Sequence, residues 1–211
     1  MLTASFRLLD RALDLLFPPR HSERLLSATS EASFRALVRP ITRGSTEALI
    51  PYDTPSVTAL IWELKYYGSA YAIHIGGALL AEHLSGLIGE ECIEQPYIIP
   101  IPLYRDRLKE RGYNQAERLA REVTRLLDGA SFQPNALSRL RKTVRQTALP
   151  KAKRLSNVHG AFGAHPELVS GRTFILIDDV VTTGATMQSA ADALREAGAL
   201  KVFPVALAYA E

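Results

Sequence analysis

Two adjacent carboxylates, Asp178 and Asp179, are followed closely by Thr182, Thr183, Gly184, Ala185 and Thr186. Paired acids accept hydrogen bonds from neighbouring hydroxyls, whereas threonine hydroxyls donate to an anion. Small residues and Gly184 let backbone N–H groups close around the same anion, and a helix starting there adds partial positive charge. A ribose 5-phosphate presents both needs, with ring hydroxyls at one end and phosphate at the other. Two other readings start from the same residues. Asp-Asp after a strand also occurs in Mg²⁺ sites and at Walker-B-like positions, and threonine-rich helix starts are common caps. The chain contains neither G-x-x-x-x-G-K-[ST] nor G-x-G-x-x-G, which weakens a P-loop or dinucleotide reading.

A second feature concerns charge. The formal net charge is +3, but residues 1–100 carry 8 Lys/Arg against 11 Asp/Glu, and residues 101–211 carry 17 against 11. Between Gly129 and Pro166 lie Arg139, Arg141, Lys142, Arg145, Lys151, Lys153 and Arg154, with no acid. Such a run points to an anionic partner, a phosphorylated small molecule or a nucleic-acid backbone; a solvated basic loop is the plain alternative. Arg105, Arg107 and Arg111 add further basic groups upstream. Aromatic groups near the run are few, namely Phe132, Phe162, Tyr104 and Tyr113. That favours electrostatic contact over base readout.

The elements that must position these groups follow from periodicity. Phe174 to Ile177 is an apolar run that delivers the two acids to a strand's C-terminal end, where ligands bind in open α/β sheets. The spacing predicts strands over Tyr97–Pro102, Arg172–Ile177 and Val202–Ala208, the first one bounded by prolines. Helices are predicted over Leu2–Phe17, Thr54–Leu64, Ala72–Ile88, Asn114–Leu127 and Thr186–Ala197, the last stopped by Gly198. Pro55 falls in a first turn, where its missing N–H costs nothing. Alternating strands and helices indicate an α/β fold with a parallel sheet. Residues 20–50 are weakly patterned, so 1–50 reads as a small N-terminal appendage and 51–211 as the main domain. In the appendage Phe34, Leu37, Val38 and Ile41 are the candidates for packing.

With 211 residues, 47% of them hydrophobic and 22% charged, the chain has a globular composition able to form a core. No run approaches the roughly 18 consecutive apolar residues of a membrane span. Arg7, Asp10, Arg11 and Asp14 interrupt the apolar N-terminus, so no signal peptide is read and a cytoplasmic protein is expected. The one cysteine, Cys92, excludes an internal disulfide and a multi-thiolate metal site.

ILIDDVVTTGATM resembles the thirteen-residue motif that binds phosphoribosyl pyrophosphate (PRPP) in type I phosphoribosyltransferases. Three further segments narrow the resemblance to the ComF family of competence proteins: LIWELKYYG (60–68), IPIPLYRDRLKERGYNQAERLA (99–120) and LSRLRKTVRQTALPKAKRLSNVHGAF (137–162). The resemblance implies a type I phosphoribosyltransferase fold in which Asp178 and Asp179 bind the ribose hydroxyls. The loop Val180, Val181, Thr182, Thr183, Gly184, Ala185 and Thr186 would hold the rest of the ribose 5-phosphate. It also implies that Lys65, Tyr66, Arg105, Arg107, Arg141 and Lys142 serve pyrophosphate or the loop that covers it. Mg²⁺ would arrive with PRPP, without a metal site made by protein alone.

Members commonly carry a cysteine-based zinc module after a start like LLFPPR (15–20). Here His21-Ser22-Glu23-Arg24, Ser27, Ser30 and Ser33 follow, and hard hydroxyls do not replace thiolates. No structural zinc is therefore expected. The function implied is handling of incoming single-stranded DNA during natural transformation. Arg139, Arg141, Lys142, Arg145, Lys151, Lys153 and Arg154 would form the nucleic-acid surface, and other competence or recombination proteins would be the partners. The alternative is an active phosphoribosyltransferase on an unidentified acceptor, of a nucleobase-salvage or amidophosphoribosyltransferase-like kind.

Overall fold

The computed structural model describes residues 20–141 and 160–210. The expected helix over Leu2–Phe17 lies outside the described residues. Helix α1 (His21–Ala28) and helix α2 (Glu31–Ala36) come first. The Ser30 hydroxyl caps α2 by accepting from the Ser33 amide at 3.2 Å. Leu26 and Phe34 anchor the two helices in the core, where Leu37 and Val38 also pack. Strands β1 (Ile41–Arg43) and β2 (Thr46–Pro51) then form an antiparallel hairpin.

The hairpin is part of the main sheet. β2 pairs in parallel with the final strand, β8 (Lys201–Tyr209), so the sheet draws on residues from both sides of position 50. Four of the six β2 residues are buried, and a strand covered on both faces loses the alternation that would reveal it.

Helix α3 (Pro55–Trp62) runs into a single π turn, Glu63–Tyr67, that Gly68 ends at φ 59°. The Gly68 N–H returns to the Glu63 carbonyl, and only glycine takes this left-handed position freely. Helix α4 (Ala70–Glu90) is long and apolar enough, by length and composition alone, to cross a membrane. Here Ile75, Leu79, Leu80 and Leu84 pack in the core.

Strand β3 (Tyr97–Pro100) is followed by α5 (Arg105–Arg111) and α6 (Gln115–Leu126). Periodicity predicts no helix where α5 stands; none of its residues is buried, so it carries no apolar stripe to read. Next come β4 (Ser131–Phe132), then the antiparallel pair β5 (Leu137–Arg139) and β6 (Phe162–Ala164), and a short α7 (Pro166–Val169). Strand β7 (Thr173–Val181), helix α8 (Ala185–Glu196) and β8 complete the described chain.

The six-stranded sheet has the order β1-β2-β8-β7-β3-β4 and is parallel except at β1. Along β7, Ile175 and Ile177 pack with Leu119 and Val123 of α6, whereas Phe174 and Leu176 pack with Met187 and Leu194 of α8. The two helices therefore cover opposite faces. From β3 the chain moves outward to β4, and from β7 it moves the other way to β8. The order reverses between β3 and β7, the topological switch point at whose C-terminal edge open α/β sheets bind ligands.

Candidate functional site

Asp178 and Asp179 stand near the C-terminal end of β7, one of the two strands that flank that switch point. Asp179 is buried, with its side chain 5% exposed, and Asp178 is half-buried. Period-2 alternation points them to opposite sides of the strand, yet local hydrogen bonds tie them together. The Asp178 carboxylate accepts from the Asp179 amide at 2.8 Å, and Asp179 Oδ1 accepts from the Val180 amide at 2.9 Å.

The π turn supplies the cation. Lys65 Nζ lies 3.1 Å from Asp179 Oδ2, with its side chain 25% exposed. Apart from this ion pair, Asp179 Oδ2 has no hydrogen-bond donor among the described residues. It therefore retains accepting capacity for a ligand hydroxyl. Gln115, the first residue of α6, donates from Nε2 to Asp179 Oδ1 at 3.5 Å, and Arg111 donates to the Gln115 side-chain oxygen. Asn114 caps α6 by accepting from the Ala116 amide at 3.1 Å while donating to the Ile101 carbonyl at 2.9 Å. This double role fixes α6 to the end of β3.

The environment separates the two acids. Loss of water around Asp178, the adjacent Asp179 charge and their hydrogen bond push Asp178 well above the ordinary carboxylate value. Burial acts in the same direction on Asp179, but the Lys65 ammonium, the Asp178 hydrogen bond and the Arg111 charge outweigh it, leaving Asp179 lowered. For Lys65, burial opposes the charge, but Asp179 and Asp178 more than offset it and the group is raised. Arg139 is lowered by burial first and by the neighbouring Arg107 guanidinium second, with Asp178 opposing. Two carboxylates held apart in this way are a common sign of a functional site.

The turn after β7 is shaped by one glycine. Gly184 has φ 78° and is buried, and a Cβ there would overlap the Arg43 carbonyl oxygen at the β1–β2 turn. The Thr183 hydroxyl accepts from the Ala185 amide at 3.4 Å at the start of α8. Val181 is buried, while Val180, Thr182, Thr183 and Thr186 are half-buried.

The structure thus brings Lys65, Arg107, Arg139 and the two acids into one electrostatic neighbourhood. Arg105 is exposed at the start of α5, and Arg141 is exposed beyond β5. Tyr66 is exposed as well, its ring in tilted contact with Trp62, centroids 4.6 Å apart. Lys142, Arg145, Lys151, Lys153 and Arg154 lie outside the described residues. The sequence offers Arg111 only as one of the upstream basic groups, and the contact of Gln115 with Asp179 has no local signal beyond its position at a helix start. Among the described residues no group of three or more His, Cys, Asp or Glu could hold a metal ion by itself.

The sequence profile of the phosphoribosyl transferase domain matches residues 108–210. The chain is 37% identical over 103 residues to Competence protein F of Haemophilus influenzae, covering 48% of this chain and 44% of that protein. It is 32% identical over 151 residues to DNA utilization protein YhgH of Escherichia coli (strain K12), covering 70% and 65% respectively. With Competence protein ComFC of Bacillus subtilis it shares 41% identity over 101 residues, 48% of this chain and 39% of that one. The matched stretches thus span between 39% and 65% of these relatives' lengths.

Proposed function

Because the chain belongs to the ComF-like family and carries a phosphoribosyl transferase domain, we propose that its β7–α8 turn binds PRPP and that it handles single-stranded DNA in natural transformation. Asp178 and Asp179 would accept from the ribose hydroxyls. The amides and hydroxyls of residues 182–186 would donate to the 5′-phosphate. Lys65, Arg107 and Arg139 would face the pyrophosphate, whose charge needs several converging cations. The observation that carries this reading is the pair of adjacent acids with separated proton affinities at the sheet's switch point, directly before the threonine-glycine turn.

Hard carboxylate oxygens at Asp178 and Asp179 suit Mg²⁺, which would enter on the pyrophosphate and supply charge neutralisation there. The protein's own share is to orient the sugar and keep water from it. The competence and DNA-utilization names of the relatives support the DNA half of the proposal, as does the acid-free basic run. The cytoplasm is the compartment where incoming DNA would be met, and competence or recombination proteins are the proposed partners.

Calorimetry with PRPP and Mg²⁺ tests the site. Asp178→Asn should abolish the heat of binding while the fold is retained; undiminished binding would remove Asp178 from the site. A pyrophosphate-release assay with nucleobase acceptors addresses the alternative. Turnover there, with no affinity for DNA, would favour a salvage-type transferase.

A further inference from the structure

Among the described residues, eight large hydrophobics are exposed, and they are unevenly spread. Four are aliphatic and scattered, whereas Trp62, Tyr66, Tyr67 and Tyr71 fall within one short segment, 40% to 54% exposed. Such rings are enriched at protein interfaces and equally offer flat π faces to nucleobases. Trp62 and Tyr66 lie in tilted contact, their centroids 4.6 Å apart and their planes inclined by 50°. Arg20 places its guanidinium 3.7 Å above the Tyr67 ring, and Arg111 lies 5.7 Å from the Tyr66 ring. The acid in the segment, Glu63, is buried and taken up by Arg20 and Ser22 at 2.9 and 2.6 Å. Arg20 is also paired with Glu23 at 3.2 Å, so Arg111 is the cation left beside the rings. The π turn sends Lys65 inward to Asp179 and leaves its tyrosines outside, at the rim of the carboxylate site. Single π turns within helices often mark functional positions.

We propose that Trp62 and Tyr66 form a base-stacking platform for single-stranded DNA, with Arg111 beside the Tyr66 ring attracting its phosphates. This rests on the DNA-handling reading above and locates base contact away from the basic 129–166 run. The ligand class follows from chemistry: a polyanion with flat π faces meets both features of the surface, and stacking on such rings tolerates any base sequence.

Trp62 is the chain's one tryptophan, so its fluorescence reports on the platform directly. Full-length protein titrated with an oligothymidylate should show salt-sensitive quenching, and an abasic oligomer of equal length should show none. Stacking on one ring contributes about 1–3 kcal/mol per base, so Trp62→Ala should weaken oligothymidylate binding about fivefold to 150-fold. Trp62→Phe should restore most of it, and PRPP binding should be unchanged in both variants. Oligothymidylate binding without quenching, and with equal affinity for Trp62→Ala, would overturn the platform while leaving DNA handling intact. A protein partner would then be the better occupant. No binding of either oligomer at low salt would overturn the DNA reading and the platform with it.

Discussion

Replacing Asp179 by asparagine should destabilise the protein, whereas the same change at Asp178 should stabilise it. The Asp179→Asn side chain keeps its shape, and its amide oxygen can still accept from Val180. What it loses is the ion pair with Lys65 Nζ at 3.1 Å. Breaking a buried pair by removing one partner costs about 3–5 kcal/mol. Lys65 is 25% exposed and can regain some water, so the bottom of that range or slightly below applies, about 2–3 kcal/mol. At about 2–4 °C per kcal/mol for a chain of this size, the melting temperature should fall by about 4–12 °C at pH 7. Asp178 is held above its ordinary value by burial and the Asp179 charge. Asp178→Asn removes an unfavourable ionisation, and its melting temperature should rise.

The pH dependence carries the sign. Asp179 is lowered, so its contribution is present above the ordinary carboxylate value and is lost as pH falls through the lowered one. The deficit of Asp179→Asn should therefore shrink in acid. Asp178 is raised, so the wild type loses stability as pH climbs past the ordinary value, and the gain from Asp178→Asn should grow over the same range. Circular dichroism melts across pH supply the measurement. The double variant Lys65→Met/Asp179→Asn should lose less than the sum of its parts, by about 0.5–3 kcal/mol. Equal losses from the two asparagine variants, or differences that ignore pH, would refute the assignment of Lys65 to Asp179.

Gly184→Ala should cost about 2 kcal/mol or more, since the left-handed conformation alone costs about 1–2 kcal/mol and the added methyl meets the Arg43 carbonyl; a shifted denaturant midpoint would register it. Arg20→Ala should leave the buried Glu63 carboxylate, 1% exposed, with the Ser22 hydroxyl as donor. Because Arg20 itself is well exposed, a loss of about 1–3 kcal/mol is expected in thermal melts.

Much of the site was legible because one segment carries it. The run from Phe174 to Thr186 combines an apolar strand, two acids and a helix-starting turn, and each step has a local signal. The central helices were legible for the same reason: Leu119, Ala120 and Val123 recur at helical spacing and are buried. Three features had no such signal. β2 is buried on both sides and so shows no alternation. α5 buries nothing. The Glu63–Tyr67 π turn depends on tertiary contacts, namely Arg20 and Ser22 on Glu63 and Tyr113 on the Leu64 carbonyl at 2.8 Å. The side of Lys65 that faces Asp179 follows from that turn, so spacing alone could not place it.

The N-terminal segment acquires a role from the same contacts. Arg20 and Ser22 hold Glu63, two residues before Lys65, and so brace the carboxylate end of the candidate site. The β1–β2 turn presses its Arg43 carbonyl and Gly44 against Thr183 and Gly184, and so braces the threonine-glycine turn. Leu26 and Phe34, both fully buried, tie the segment to the core that also holds Leu60, Ile61 and Leu64. A stretch that lacks the thiolates of a zinc module thus joins the domain through apolar packing and through the ion pair of exposed Arg20 with buried Glu63. Because it touches the site at both ends, loosening it by Arg20→Ala should weaken PRPP binding as well as lower stability.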